Sequence, residues 1–410
     1  MLTIFRRTNK SVSGLNTKSG YMSMDLFSSR TNKNTPRAKP VHVRTNSQQL
    51  SISSPKGEVV MVTGGAGFLG QHIVSLLQTK APHVREIRVL DLKPYNNFLG
   101  HSDRKPISSV IGSVTDLSIL AEALKGVDSV YHIAGKISYG TFPDFKGMYN
   151  INVEGTANLI KACLLNDVKR FIYCSTVDVV IGYDDIIDGN EANTAPPTEF
   201  LFPGYPETKY KAECLVLKAN GTPTQNGSLL QTMSLRANVM YGEGDPYYIT
   251  NGLRNARDSN GTLYQVGNGT ALFQPVYVGN TAWAFICADK ELTGNSKLGG
   301  KFYFIPDDTP QQNTFEFMEP FLEVRGYRLS SIKFPFRLVY IFLLFSELIV
   351  KALSPLVKIN LPAESYSVKY INMTLIFSSM RARQELGFKP IFSTEEAKQR
   401  SLLYYKHMEL

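Results

Sequence analysis

The octapeptide TGGAGFLG, Thr63 to Gly70, constrains this chain more than any other stretch. It follows directly on the apolar, β-branched run VVMVT (59–63) and opens into GQHIVSLLQ (70–78), whose spacing predicts a helix. Gly64, Gly67 and Gly70 recur at every third position. Glycines so placed allow a tight turn, a close backbone approach and tight packing of helix on sheet. The helix start adds unpaired N–H groups and the positive end of the helix dipole, a combination that suits a pyrophosphate. Asp91 closes the next apolar run, IRVLD (87–91). A carboxylate there accepts hydrogen bonds from the adenosine ribose and repels a 2′-phosphate, so the expected cofactor is NAD rather than NADP. Lys93 beside it weakens that preference. The expected cradle is Gly64, Gly65, Ala66, Gly67, Phe68, Leu69 and Gly70, with Asp91 on the ribose. No G-x-x-x-x-G-K-[ST] occurs, which excludes a nucleotide-hydrolysing P-loop of that type.

Further buried strands are expected at SVIG (109–112), SVYHIAG (129–135), RFIYCST (170–176) and TMSLRA (232–237). Between them, YNINVEGTANLIKACLLND (149–167) sets Val153, Ala157, Ile160 and Leu164 at helical spacing on one predicted face. Strands alternating with helices imply an α/β fold, a doubly wound parallel Rossmann sheet. The rhythm weakens after residue 237, so a core over 58–236 and a smaller C-terminal substrate-binding region over 237–410 are expected.

Residues 1–57 hold ten of the 44 Lys and Arg but one of the 35 Asp and Glu, which leaves 34 of each sign in the remainder. The body is therefore neutral, and a nucleic-acid-binding face is excluded. The extension is too polar to bury a core and is expected to be disordered. Its basic, Ser-rich character also fits a transit peptide. The four cysteines, Cys163, Cys174, Cys214 and Cys287, form no C-x-x-C and read as reduced, buried thiols, with no metal site expected.

The most apolar stretch, FPFRLVYIFLLFSELIVKALSPLVK (334–358), is interrupted by Glu347 and flanked by Arg337, Lys351 and Lys358. A clean span needs about 20 apolar residues. A helix lying on a membrane surface fits better, with basic residues toward lipid head groups. A core or homodimer-interface helix is the alternative. A membrane-facing protein of the endoplasmic reticulum or the mitochondrion is the corresponding expectation.

In GYPETKYKAE (204–213), Pro206 marks a first helical turn, so Tyr205 starts a helix running to about Ala219. Lys209 lies one turn on and shares its face. A cation there is expected to lower the phenol's pKa, and NAD⁺ would add to that. A tyrosine so tuned can take a proton from an alcohol while hydride leaves the carbon. Ligands in open parallel sheets bind beyond the carboxyl ends of strands, where RFIYCST places Ser175 and Thr176. Either hydroxyl could bond the reacting oxygen.

The glycine loop, the hydroxyl-bearing strand end and Tyr205-x-x-x-Lys209, in that order, resemble an extended short-chain dehydrogenase/reductase. More narrowly, NVEGTANLI, FIYCST, LRANVMYGEGD, QPVYVGNTAWAFICA, FYFIPDDTP and FKPIFSTEEAKQR resemble the 3β-hydroxysteroid dehydrogenase/Δ5–Δ4 isomerase family, from about residue 58 to the C-terminus. The resemblance implies Tyr205 as acid/base, Lys209 as its partner and a ligand of the nicotinamide ribose, and Thr176 in the place of the catalytic serine. It implies oxidation of a 3β-hydroxy-Δ5-steroid with NAD, and an isomerisation linked to Asp307-Asp308, a pair that reads equally as a surface turn before Pro310. This chain departs from the pattern at Thr176, at Ser113 where an aspartate usually approaches the adenine, and after Arg236, where a proline is missing. Relatives acting on a sterol 4-carboxylate, a bile-acid precursor or a sugar nucleotide share the same cofactor motifs. A catalytically silent NAD-binding protein is the other alternative, against which Tyr205 and Lys209 both stand.

Overall fold

The computed structural model describes residues 57–410, so the expectations placed on residues 1–57 lie, Gly57 apart, outside the described residues. Seven strands form the main sheet: β1 (Glu58–Thr63), β2 (Val84–Asp91), β3 (Ile107–Ile111), β4 (Ser129–His132), β5 (Arg170–Thr176), β6 (Gln231–Ala237) and β7 (Lys301–Phe304). Every pair is parallel, in the order β7-β6-β5-β4-β1-β2-β3. Successive side chains of a strand point to opposite faces. Accordingly Val60 and Val62 join one core, with Ile73 and Leu77 of α1 (Phe68–Lys80), while Val59 and Met61 join the other, with Leu159 and Phe171. Burial on both faces explains why β1, β4 and β5 read as largely apolar runs; β3, expected to be buried, lies at the sheet edge and is partly exposed. The connection reverses direction between β1 and β4, and that switch point opens a crevice at the carboxyl ends of the strands.

The helical segment after β4 corrects one expectation. Tyr149–Glu154 is a π-helical turn, and the α-helix proper, α2, runs Gly155–Leu165. The wider turn shifts the register, so Ala157 is exposed, whereas Thr156, Leu159, Ile160 and Cys163 are buried. Helix α3 (Tyr205–Lys218) agrees with expectation at both ends.

The C-terminal half takes part in the main sheet and its core. It supplies β7 to the main sheet, and α4 (Val278–Gly294) packs beside α1 through Phe285 and Ala282. Beyond these, short strands pair in parallel, Thr262–Val266 with Arg328–Phe334 and Ile186–Gly189 with Leu375–Phe377. Helix α5 (Phe336–Leu353) follows. Three of the four cysteines are buried as expected; Cys214 is exposed.

Arg236 of β6, lacking the usual proline after it, is fully buried and paired with Glu213 of α3 at 2.6 Å. Its guanidinium also lies 3.7 Å from the Phe302 ring centroid. Removing one partner strands a buried charge, which costs about 3–5 kcal/mol. Glu213→Ala is therefore expected to lower the melting temperature in a thermal-shift experiment by several degrees, and Glu213→Gln by less. An unchanged melting temperature would refute the role given to this pair.

Candidate active site

The glycine turn is pinned to the sheet. Gly64 N–H donates to Leu90 O at 2.7 Å, and Gly67 N–H to Gly64 O at 3.0 Å. Gly64 has φ +73°, and a Cβ there would lie 2.9 Å from Ala134 N. A Cβ on Gly70 would fall 2.3 Å from Gly64 O and 2.5 Å from Gly65 Cα, so α1 can rest on the turn only because position 70 has no side chain. No side chain caps α1 at Gly67, which leaves its first-turn N–H groups available to a ligand. Asp91 reaches the same loop, its Oδ2 accepting from Ala66 N–H at 3.0 Å. This cradle fits NAD, whose pyrophosphate would be held at the start of α1 by the Gly64 to Gly70 turn and whose ribose would be held by Asp91. Ser113, at the expected adenine end, spends its hydroxyl within its own turn, accepting from Thr115 N–H at 3.2 Å and contacting Thr115 Oγ1 at 2.8 Å.

Tyr205 and Lys209 stand on α3, which packs against β5, and Thr176 closes that strand. Lys209 is buried, and its ammonium donates to Cys174 O at 2.5 Å over the face of the Tyr173 ring, 4.2 Å away. Burial pulls the Lys209 pKa down to about 8. Tyr205 is also buried, and its phenol is pushed well above its usual range by that burial and then by the carboxylate of Asp178. This corrects the expectation that Lys209 lowers it. The lysine directs its charge at the Cys174 carbonyl and the Tyr173 face, while the phenol meets the negative field of Asp178. Thr176 Oγ1 accepts the Asp178 N–H at 3.2 Å, and the same hydroxyl bonds the Asp178 carboxylate. Ser175 Oγ is buried with no hydrogen-bond partner, whereas Thr176 is half-buried at the strand end.

Two supporting residues escaped the sequence reading. Asn152, buried in the π-helical turn, accepts from Lys136 N–H at 2.7 Å and donates to Thr208 Oγ1 at 3.0 Å, tying the strand-β4 loop to the helix of Tyr205 and Lys209. His132 lies between Thr63 Oγ1 and Thr156 Oγ1, at 2.7 and 2.9 Å, and burial pulls its pKa down to about 3. It is a neutral strut between β1, β4 and α2. Nothing in the local pattern sets Asn152 apart from Asn150 and Asn158 near it, and nothing marks His132.

A cavity of about 490 Å³, walled largely by aromatic and aliphatic side chains, is lined by none of the three catalytic candidates but reaches the neighbours of Tyr205 and Thr176. Tyr139 and Asp178 stand in its wall. The Tyr139 ring meets that of Tyr205 edge-on, with centroids 5.6 Å apart. Leu338, Val339 and Phe342 of α5 line the cavity as well. The Asp307-Asp308 pair does not. Asp307 is buried as a local brace, its carboxylate accepting from Tyr277 N–H (3.1 Å), Asn280 Nδ2 (2.8 Å) and Thr309 N–H (3.0 Å). Asp308 is exposed and paired with Arg383 at 2.7 Å. Among the described residues, Glu58, His83 and Asp289 bring three potential metal ligands within 4.8 Å of one another. Arg170 bridges both of those carboxylates, at 2.5 Å to Glu58 and 2.6 Å to Asp289, so the group is accounted for as an ion-pair network.

Comparisons with known proteins agree with this geometry. DesIV, a dTDP-glucose 4,6-dehydratase from Streptomyces venezuelae solved with NAD and TYD, superposes with a TM-score of 0.62 at 22% identity over 85% of this chain and 97% of its own. MoeE5, solved with UDP-glucuronic acid and NAD, gives 0.60 at 20% identity over 85% and 98%. These likenesses establish the fold. In sequence, the 3 beta-hydroxysteroid dehydrogenase type 7 of Mus musculus is 34% identical over 364 residues, 86% of this chain and 96% of that protein. The profile of one family matches residues 61–336, from β1 through the start of α5. The chain belongs to the 3-beta hydroxysteroid dehydrogenase/isomerase family.

Proposed function

We propose that this protein oxidises the 3β-hydroxyl of a Δ5-steroid or sterol to the ketone with NAD⁺, and then moves the double bond into conjugation. The observation that carries this reading is the apolar cavity of about 490 Å³ abutting Tyr205 through Tyr139 and Asp178. A rigid, lipophilic ring system suits such walls, and a sugar nucleotide does not. The mouse relative's name, a 3 beta-hydroxysteroid dehydrogenase, supports the same substrate class. NAD⁺ supplies a hydride acceptor and a positive charge near the phenol. Tyr205 takes the hydroxyl proton, Thr176 donates a hydrogen bond to the same oxygen, and Lys209 binds the nicotinamide ribose from the start of the crevice.

The test is incubation of purified protein with NAD⁺ and a panel of 3β-hydroxy-Δ5 steroids. NADH formation and the conjugated enone are both read by absorbance. NADH with at least one steroid is the expected outcome; none with any of them would overturn the reading in favour of another substrate.

Membrane docking by α5 belongs to the same proposal. Among the described residues no helix is long and apolar enough to cross a membrane. Helix α5 instead buries one stripe, Leu343, Glu347 and Val350, against the body and exposes Ile341, Phe345 and Leu348 on another. Arg337, Lys351 and Lys358 border the exposed stripe. That pattern fits a helix lying in a bilayer interface. Replacing Ile341, Phe345 and Leu348 together by Ser removes three apolar anchors of about 1.5–3 kcal/mol each. The variant is expected to stay in the supernatant on sedimentation with anionic vesicles that pull down the parent protein. Equal sedimentation of both would exclude this helix as the anchor.

A further inference from the structure

The cavity wall contains one carboxylate, and nothing described so far uses it. Asp178 sits in the 3₁₀ turn Val177–Val180 that follows β5, two residues past Thr176. It is 7% exposed, and its Oδ1 is buried with no hydrogen-bond partner. The carboxylate is otherwise met by the hydroxyl of Thr176 and, in a long contact of 3.5 Å to Oδ2, by that of Tyr139. An unpartnered carboxylate oxygen costs stability, and its retention in an apolar cavity requires a use for it. Asp307 has no free lone pair comparable to it, and Asp308 faces away into an ion pair.

Resting on the substrate class proposed above, we propose that Asp178 is the proton carrier of the double-bond shift in a β,γ-unsaturated ketosteroid. Asp178 takes the proton from C4, between the carbonyl and the C5=C6 double bond. The C4–H electron pair becomes the C3=C4 bond, and the carbonyl pair moves to oxygen, where Tyr205 and Thr176 can donate hydrogen bonds. In the return step the oxygen pair re-forms C3=O, C3=C4 becomes C4=C5, and the former C5=C6 pair takes the proton from Asp178 at C6. One C–H bond breaks and one forms, and nothing is oxidised or reduced. The site suits this work. Burial raises the Asp178 pKa to about 6, close enough to neutrality for the group both to accept and to return a proton. The titratable groups facing it are Tyr139, Tyr205 and Tyr370, all held un-ionised at neutral pH by their own burial, so the carboxyl is the one that titrates there.

The experiment supplies the Δ5-3-ketosteroid directly to enzyme saturated with NADH and follows the conjugated enone. Asp178→Asn is expected to lower kcat for this step by about 10²-fold, with a much smaller change in KM. Wild-type kcat should rise with pH through about 6, as the carboxylate forms, and level off above; the Asn variant should lack that limb. Asp178→Glu should recover part of the rate and keep the limb, and it carries the test if the Asn variant no longer binds NADH. An Asn variant that isomerises as fast as wild type, or keeps the same pH limb, overturns the proposal. A wild type that oxidises 3β-hydroxy-Δ5 steroids but never isomerises the ketone also overturns it, while leaving the dehydrogenase reading intact. Isomerisation of the ketone without oxidation of any steroid would do the reverse.

Discussion

Tyr205→Phe is expected to reduce steroid oxidation by about 10³-fold, a value within the range for loss of a positioned acid/base. The substitution removes one oxygen and leaves the ring that packs edge-on against Tyr139. Titration with NADH, followed by its fluorescence, should therefore give a near-normal Kd. The size of the effect follows from the surroundings. Burial and Asp178 hold the phenol well above its usual pKa, so its ionisation depends on the positive charge delivered with NAD⁺. Water cannot easily replace it, because the phenol lies at a nearly closed site. Thr176 can donate a hydrogen bond but cannot accept the proton as a base at neutral pH. A Phe variant with near-wild-type turnover would remove Tyr205 from the chemistry.

The second large effect is expected at Gly70. An alanine there puts Cβ 2.3 Å from Gly64 O and 2.5 Å from Gly65 Cα, both backbone atoms that no rotamer change can move aside. Helix α1 must lift from the turn, at a cost of about 3 kcal/mol by analogy with overpacked cores. If that cost falls on the bound geometry, NAD binding weakens by about 10²-fold. Gly294→Ala is the control: nothing lies within 4 Å of its Cβ, and it should be silent in both melting temperature and NAD titration. Gly70→Ala binding NAD normally would mean that the loop is not the pyrophosphate site.

Much of this was legible in the sequence, for physical reasons that differ by region. RFIYCST and TMSLRA were read nearly to the residue, because a strand buried on both faces reads as a largely apolar run. The start of α3 was legible because proline is tolerated mainly in the first turn of a helix. The glycine loop was legible because close backbone approach leaves no alternative residue. Three things were not. The π-helical turn at Tyr149–Glu154 has the same composition as the helix it distorts, so the expected face was displaced. Strand β7 is four residues long and lies far along the chain from its neighbour β6, which local patterns cannot register. The direction of the Tyr205 pKa depends on where Asp178 and Lys209 aim their charges, and spacing along a helix does not fix that. Asp178 itself sits within FIYCSTVDVV as one acid among apolar neighbours, and its significance comes only from the cavity it faces.

Leu338 and Phe342 are at once exposed on α5 and part of the cavity wall. Any amphiphile that coats that helix therefore touches the cavity proposed for the substrate, and the detergent in an assay becomes a participant rather than a medium. Apparent KM values should track the surface composition of micelles or vesicles, and measurements made in different detergents are not comparable until that composition is matched.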